Sequence, residues 1–300
     1  MLVFANALWG SSYVVAKIAL QEIPPPILAA LRFGLATLVL WLIVLARGSV
    51  RLPHWRDALR LAALGAFGIG VNGILGYTGV SLTTATDASL LIVGEVLFTT
   101  LLAVLLANEQ LDAPRGVGLL VGLLGVLVLI AGGASASLAG APSRALGDVL
   151  ILVGLAFEAT HTVLGTQLSR RYAPLTVLTL TLTGSCLIWL PLLAWYAARG
   201  DLQMPSPQAS AGVVYLAVVT GVACYLLWFS VLRLAGATVG AMSLMAQPVV
   251  GALLGIWLLG DSVTLSTLVG AACVVTCLCL ASGAIHLPVA RRTRTFPPRP

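Results

Sequence analysis

The sequence predicts an all-α polytopic membrane protein, with ten transmembrane helices arranged as two inverted five-helix repeats. Three observations predict it. Of 300 residues, 59% are hydrophobic and only 9% charged, whereas soluble domains carry about 25% charge. The apolar residues fall into ten runs of about 20, the length an α-helix needs to cross a hydrocarbon core about 30 Å thick. Finally, the stretch Ser89–Gly133 recurs at Ala241–Ala284. An offset of 152 positions carries Glu95 onto Gln247, Leu101 onto Leu253, Glu109 onto Asp261 and Gly118 onto Gly270, and upstream it carries Leu82 onto Leu234 and Thr86 onto Thr238.

The runs fall at 2–20, 27–46, 60–79, 88–107, 116–134, 148–167, 175–196, 212–232, 238–259 and 264–284. Prolines punctuate the connections: Pro24 to Pro26, Pro53, Pro114, Pro142, Pro174, Pro205 and Pro207. Each removes a backbone donor and so sits best between helices or at a helix start. The connections are short and leave little room for a site outside the membrane. With the N-terminus inside, Arg47, Arg51, Arg56, Arg60, Arg115, Arg170, Arg171 and Arg233 face inward, together with Arg291, Arg292, Arg294 and Arg299. Only Arg144 and Arg199 face outward. This bias predicts two cytoplasmic termini in a bacterial inner membrane. Five crossings per repeat is an odd number, so the second repeat enters from the opposite side. The repeats are expected over 1–140 and 141–286, with 287–300 a basic, disordered cytoplasmic tail. A duplicated set of spans marks transporters built from two halves.

Composition excludes several other classes. The net charge of +6 is concentrated in the tail, where contact with anionic lipid is open. No folded basic surface suggests nucleic acid as a partner. Cys186, Cys224, Cys273, Cys277 and Cys279 lie inside apolar runs without metal-ligand spacing, which makes them packing residues. Trp9, Ser11, Ser12 and Lys17 interrupt the first run, so no cleaved signal peptide is expected. There is no GxSxG, no HExxH and no pair of aspartates. No enzyme, cofactor or metal site is expected.

A charged side chain at mid-bilayer costs about 2.5–3.5 kcal/mol on insertion scales, so ionisable residues inside the runs are candidates for function. Lys17 and Arg32 lie near the outer ends of the first two runs. They can snorkel or reach Glu22, or they can attract an anionic group such as a substrate carboxylate. Glu95 is too short and too deep to snorkel, and its repeat mate Gln247 precedes Pro248. Symmetry sets these two across the midplane from each other. Glu158 and His161 share a helix face, being three apart; they suit either a buried pair or a proton relay and ammonium ligand. Trp9, Ser12 and Tyr13 of the first run, Asn72 and Tyr77 of the third, and Tyr225 and Trp228 of the eighth complete a candidate substrate cavity. The glycines of the third run (Gly65, Gly68, Gly70, Gly73, Gly76 and Gly79) and the pairs Gly118/Gly122 and Gly251/Gly255 are read first as packing seams.

The opening WGSSYVVAK (Trp9–Lys17), followed by a proline turn and LAALRFGLATLVL (Leu28–Leu40), resembles EamA-type proteins of the drug/metabolite transporter superfamily. So does QPVVGALLGIWLLGDSVTLSTLVGAACVV (Gln247–Val275). The resemblance covers nearly the whole chain. It implies a binding cavity among the first, third, fourth, sixth, eighth and ninth helices, and export of amino acids or similar amphipathic metabolites. One departure stands out: Glu95-Val96 replaces a proline in the first repeat, whereas the second keeps Pro248, so the two central helices need not bend alike. The resulting expectation is a secondary transporter of a small-molecule substrate in the lipid bilayer, working by alternating access with protons as a candidate coupling ion. The alternative is a passive channel, which needs a polar lining continuous through both halves; the apolar runs argue against it.

Overall fold

The computed structural model describes residues 1–48, 53–107, 113–135, 141–169, 171–228 and 246–281, and among them every regular element is helical. Helices α1 (Leu2–Ala19) and α2 (Pro25–Arg47) open the chain. Pro24 stands at the N-cap of α2 and Pro25 in its first turn, where a missing N–H is no loss. Gly48 ends α2 in the left-handed conformation, φ 63°, with its N–H on the Leu45 carbonyl. That is a position where a side chain would be strained.

The third span is continuous from Trp55 to Leu82. It consists of α3 (Trp55–Leu64), a π-helical stretch (Gly65–Val71) and α4 (Asn72–Leu82). The fourth is interrupted. Thr84 caps α5 (Ala85–Leu90) by accepting the Asp87 N–H at 3.0 Å, and α6 (Val93–Ala107) follows after a tight turn at 91–92. There the N–H groups of Gly94 and Glu95 reach back only three residues, to the carbonyls of Leu91 and Ile92 at 2.8 and 2.9 Å. The helix bearing Glu95 is therefore broken without a proline.

The remaining elements are α7 (Ala113–Ser135), α8 (Ala141–Ser169), α9 (Pro174–Ala198) and α10 (Pro207–Val214). A second π-helical stretch (Tyr215–Ala223) leads into α11 (224–228); α12 (Ala246–Leu259) and α13 (Leu265–Ala281) complete the set. Seven helical runs among the described residues are long and apolar enough to cross a membrane: Leu2–Ala19, Pro25–Arg47, Trp55–Leu82, Ala85–Leu102, Ser143–Gly165, Pro174–Ala198 and Pro207–Trp228. Three shorter apolar helices, Gly116–Gly132, Ala246–Leu259 and Leu265–Leu280, fall where the other expected spans lie. The expected basic tail, Glu109, and Leu234 and Thr238 of the repeat alignment lie outside the described residues, as do Arg51, Arg170 and Arg233.

The outward faces are apolar. Leu42 and Leu45 of α2, Leu105 of α6, Leu124 of α7, Leu187 of α9 and Trp257 of α12 are all exposed, a surface suited to hydrocarbon rather than water. Inside, small residues bring backbones together. A Cβ on Gly65 would overlap the Thr181 carbonyl, and one on Gly184 would overlap the Ala62 carbonyl, which fixes α3 and its π-helical extension against α9. Gly79 and Gly147 likewise face each other's carbonyls, 2.6 and 2.7 Å from where their Cβ atoms would be, between α4 and α8. Cys277 packs on Gly122 and Cys273 on Gly125. The hydroxyls of Thr179, Thr181, Thr183 and Ser185 turn back on carbonyls of α9 itself, at 2.7, 3.0, 2.7 and 2.7 Å. That is how an apolar helix satisfies them.

Lys17 neither snorkels nor meets Glu22. Its Nζ donates to the carbonyls of Val80, Ser81 and Thr83 at 2.9, 2.9 and 2.6 Å, where α4 ends and its last carbonyls lack helical partners. Glu22 instead accepts from the Ser206 N–H at 2.9 Å and from the Ser206 hydroxyl at 2.7 Å, at the N-cap of α10. Asp261, the repeat mate of Glu109, caps α5 rather than the helix that follows it: its Oδ2 accepts from the Thr86 N–H and hydroxyl, each at 2.8 Å. The helix after Asp261, α13, is capped by Thr264, which accepts from the Thr267 N–H at 3.1 Å.

Candidate functional site

A cavity of about 480 Å³ lies between the helices, within the range of small-ligand sites. The eleven residues assigned from the sequence to a substrate cavity all line it, whereas Lys17 does not. Trp9, Ser12 and Tyr13 come from α1, Asn72 and Tyr77 from α4, and Glu95 from α6. Glu158 and His161 come from α8, Tyr225 and Trp228 from α11, and Gln247 from α12. The second run adds Arg32 and Phe33, and Thr99, Thr100 and Thr162 bring hydroxyls.

One wall is aromatic. The Trp9 ring meets Tyr225 edge-on with centroids 5.1 Å apart, and meets Trp228 at 5.6 Å. Its indole N–H donates to the Thr220 carbonyl at 2.9 Å, which fixes the ring. Ser12 turns back to the Trp9 carbonyl at 2.6 Å, and the neighbouring Ser11 pairs with the Tyr215 hydroxyl at 2.6 Å.

The acidic wall is built from α6 and α8. Glu158 accepts the Asn72 amide at 2.9 Å on one carboxyl oxygen and the Tyr225 hydroxyl at 3.2 Å on the other. Glu95 is hydrogen-bonded to Thr162 and lies within electrostatic reach of Glu158. The pairing of Glu158 with His161 considered from their spacing does not form. Glu158 is turned toward α4 and α11, while the His161 Nε2 is buried without a hydrogen-bond partner among the described residues. The π-helical backbone at Gly68 packs on the Cβ of His161. His161 also borders a second groove, of about 690 Å³, lined by Arg60, Phe67, Leu164 and Arg171 among others, and so stands between the two spaces.

Gln247 donates to Asn6 at 2.7 Å, and Asn6 donates to the Leu2 carbonyl at 3.0 Å. Asn6 was not legible as a partner because it shares no face or spacing with Gln247 in the chain. A Cβ on Gly10 would overlap the Gln247 carbonyl, so α1 and α12 lie in backbone contact there.

Arg32 is the largest departure from a reading by helix ends. It donates to the Tyr77 hydroxyl and, at 3.4 Å, to the Thr220 hydroxyl, and lies over the Phe33 and Tyr77 rings at 5.0 and 5.7 Å. The hydroxyls of Thr99 and Thr162 carried no signal in the sequence, since a threonine inside an apolar helix is commonly satisfied by its own backbone. Among the described residues, no group of three or more His, Cys, Asp or Glu could hold a metal ion. Chemically, the cavity offers two carboxyl groups and π-faces suited to a cation, with one guanidinium hydrogen-bonded to neutral hydroxyls.

The model of the EamA-like transporter family matches residues 1–131 and 145–283. An uncharacterized transporter of Archaeoglobus fulgidus is 26% identical over 282 residues, covering 92% of this chain and 95% of its own. The uncharacterized transporter YetK of Bacillus subtilis is 27% identical, with 91% and 83% covered. The uncharacterized inner membrane transporter YedA of Escherichia coli K12 is 26% identical, with 86% and 81% covered. A protein crystal structure superimposes with a TM-score of 0.65 over 94% of this chain and 96% of its own at 20% identity, a likeness of fold.

Proposed function

Because the chain belongs to the EamA-like transporter family, and is thus an integral membrane transporter, we propose that it is a secondary carrier. It moves a small organic solute bearing an amino group, an amino acid or similar amphipathic metabolite, in the direction of export. The observation that carries this reading is the meeting of Glu95 and Glu158 with the Trp9, Tyr225 and Trp228 rings around one cavity. A carboxylate beside aromatic faces attracts an ammonium group, and the rings accept the apolar part. Both oxygens of Glu158 already hold neutral donors, which leaves Glu95 as the acid that exchanges a proton for cargo.

The carrier works by alternating access between two inverted halves, 1–140 and 141–286, rocking around the cavity. Two features support the duplication. The π-helical stretches end at Val71 and Ala223, the same 152 positions apart as the sequence repeat. Packing between the halves is also reciprocal under exchange. The first span packs on the ninth as the sixth packs on the fourth, and the second on the eighth as the seventh on the third. The fifth and tenth spans pack on each other. Both termini are cytoplasmic and the membrane is the bacterial inner membrane, in line with the arginine bias and with the inner-membrane description of the Escherichia coli relative.

Counterflow in proteoliposomes tests the reading. A carrier gives saturable uptake that exchanges with solute on the other side; flux that neither saturates nor exchanges belongs to a passive pore and overturns it. Glu95→Gln is expected to abolish the pH dependence of uptake. Unchanged uptake at every pH removes the proton from the cycle.

A further inference from the structure

We propose that Arg32 is the anion anchor of the central cavity, so that the cargo is a zwitterion whose carboxylate docks on α2 and α4 while its ammonium group lies toward Glu95. The proposal rests on the carrier reading above and names the substrate class more narrowly.

An arginine inside an apolar bundle requires compensation. Among the described residues, Arg32 has no carboxylate within ion-pairing distance, unlike Arg60 and Arg144, which pair with Asp57 and Asp87. Its hydrogen-bond and ring partners are neutral, the Tyr77 and Thr220 hydroxyls and the faces of Phe33 and Tyr77, with Glu158 within electrostatic reach but not paired. A guanidinium carries five N–H donors in a fork that matches a carboxylate. Among the described residues two of the five are engaged, one of them at 3.4 Å, and the Nε has no partner.

The cavity also holds its own opposite charges apart. Asn72 and Tyr225 engage both oxygens of Glu158, and Tyr77 engages Arg32. A site whose cation and acid collapsed onto each other would have nothing left for a zwitterion. Neutral hydroxyl and amide spacers keep the two poles separate across about 480 Å³, space for a solute of amino-acid size.

The test uses the full-length protein in detergent and in proteoliposomes. The standard α-amino acids are each paired with the amine that lacks the carboxylate. Thermal-shift titration gives apparent affinities, and counterflow gives transport. At least one amino acid is expected to bind about 10- to 100-fold more tightly than its amine, the factor for losing charge-assisted hydrogen bonds. In Arg32→Gln that preference disappears, whatever the change in the amine's own affinity. Arg32→Lys, which keeps a cation if the glutamine variant misfolds, retains part of the preference. Amines that bind and exchange as well as their amino acids overturn this proposal and leave the carrier reading standing. An Arg32→Lys variant that weakens amino acid and amine equally makes Arg32 structural and also overturns it. Loss of counterflow for both classes in the wild type overturns the carrier reading itself.

Discussion

Arg144 of α8 holds Asp87 of α5, with its Nε 2.9 Å from the Asp87 Oδ2, and only 2% of the Asp87 side chain is exposed. The sequence assigns Arg144 to an outer loop, yet the structure draws it, half-buried, into a bond between two spans. Next to this pair, Thr83 donates to Asp148 at 2.5 Å and Lys17 takes the carbonyls that end α4. One end of the bundle is thus tied by charge. Removing one member leaves the other buried and uncompensated, at a cost of about 3–5 kcal/mol. Arg144→Gln is expected to lower the melting temperature in detergent markedly, and the neutral double variant D87N/R144Q is expected to recover much of the loss. A double variant no better than the single one would show that the pair does not act as a unit.

The crossing of the third span with α9 depends on absent side chains. The Gly184 position faces the Ala62 carbonyl and the Gly65 position the Thr181 carbonyl, both too close for a Cβ. Gly184→Val and Gly65→Val should therefore force the helices apart and abolish a monodisperse peak in size-exclusion chromatography. Gly34 of α2 has nothing within 4 Å of its Cβ position. Gly34→Ala is expected to be neutral or to gain about 0.5–1 kcal/mol of helix preference.

Glu22 gives a pH-dependent contribution of known sign. The Ser206 N–H, and then the Ser206 hydroxyl, hold its carboxyl below the usual carboxylate range. A depressed folded value means that the stabilisation is complete above the unfolded value of about 4.3, and is lost as pH falls through the folded one. The melting temperature of the wild type should exceed that of Glu22→Gln at about pH 6, and the gap should close toward about pH 3. The site is exposed and the gap is small. A difference independent of pH would assign the effect to packing.

Side chains whose burial is costly marked the cavity in the sequence. Glu95, Glu158, His161 and Asn72 stand out inside apolar runs because each needs compensation there, and all four reach one space. The repeat offset likewise paired Glu95 with Gln247, which lines the same space. Long side chains hid their destinations. Lys17 and Arg32 both sit near helix ends in the sequence, yet one satisfies a helix terminus and the other enters the cavity. A flexible stem lets either outcome follow from the same position. Asp87 precedes one apolar run and Asp148 begins another, so neither stands out in the sequence as a buried charge. Their burial arises from how α5 and α8 meet, which no local pattern records. The interruption at 91–92 also lacked a proline to announce it.

His161 separates the central cavity from the groove lined by Arg60, Phe67 and Arg171. His161 lines both spaces, with the backbone at Gly68 packed against its Cβ and α8 carrying it. Among the described residues its Nε2 has no hydrogen-bond partner that would tie it to either wall, so the ring acts through its bulk. His161→Ala is expected to join the two spaces and raise passive leak of small solutes through proteoliposomes several-fold, with the protein still folded. His161→Phe, which keeps the bulk and removes the nitrogens, should leave leak at the wild-type level and preserve counterflow. If the phenylalanine variant leaks as much as the alanine variant, a water-mediated role for the imidazole replaces the steric one. If neither variant leaks, a layer other than His161 seals the cavity.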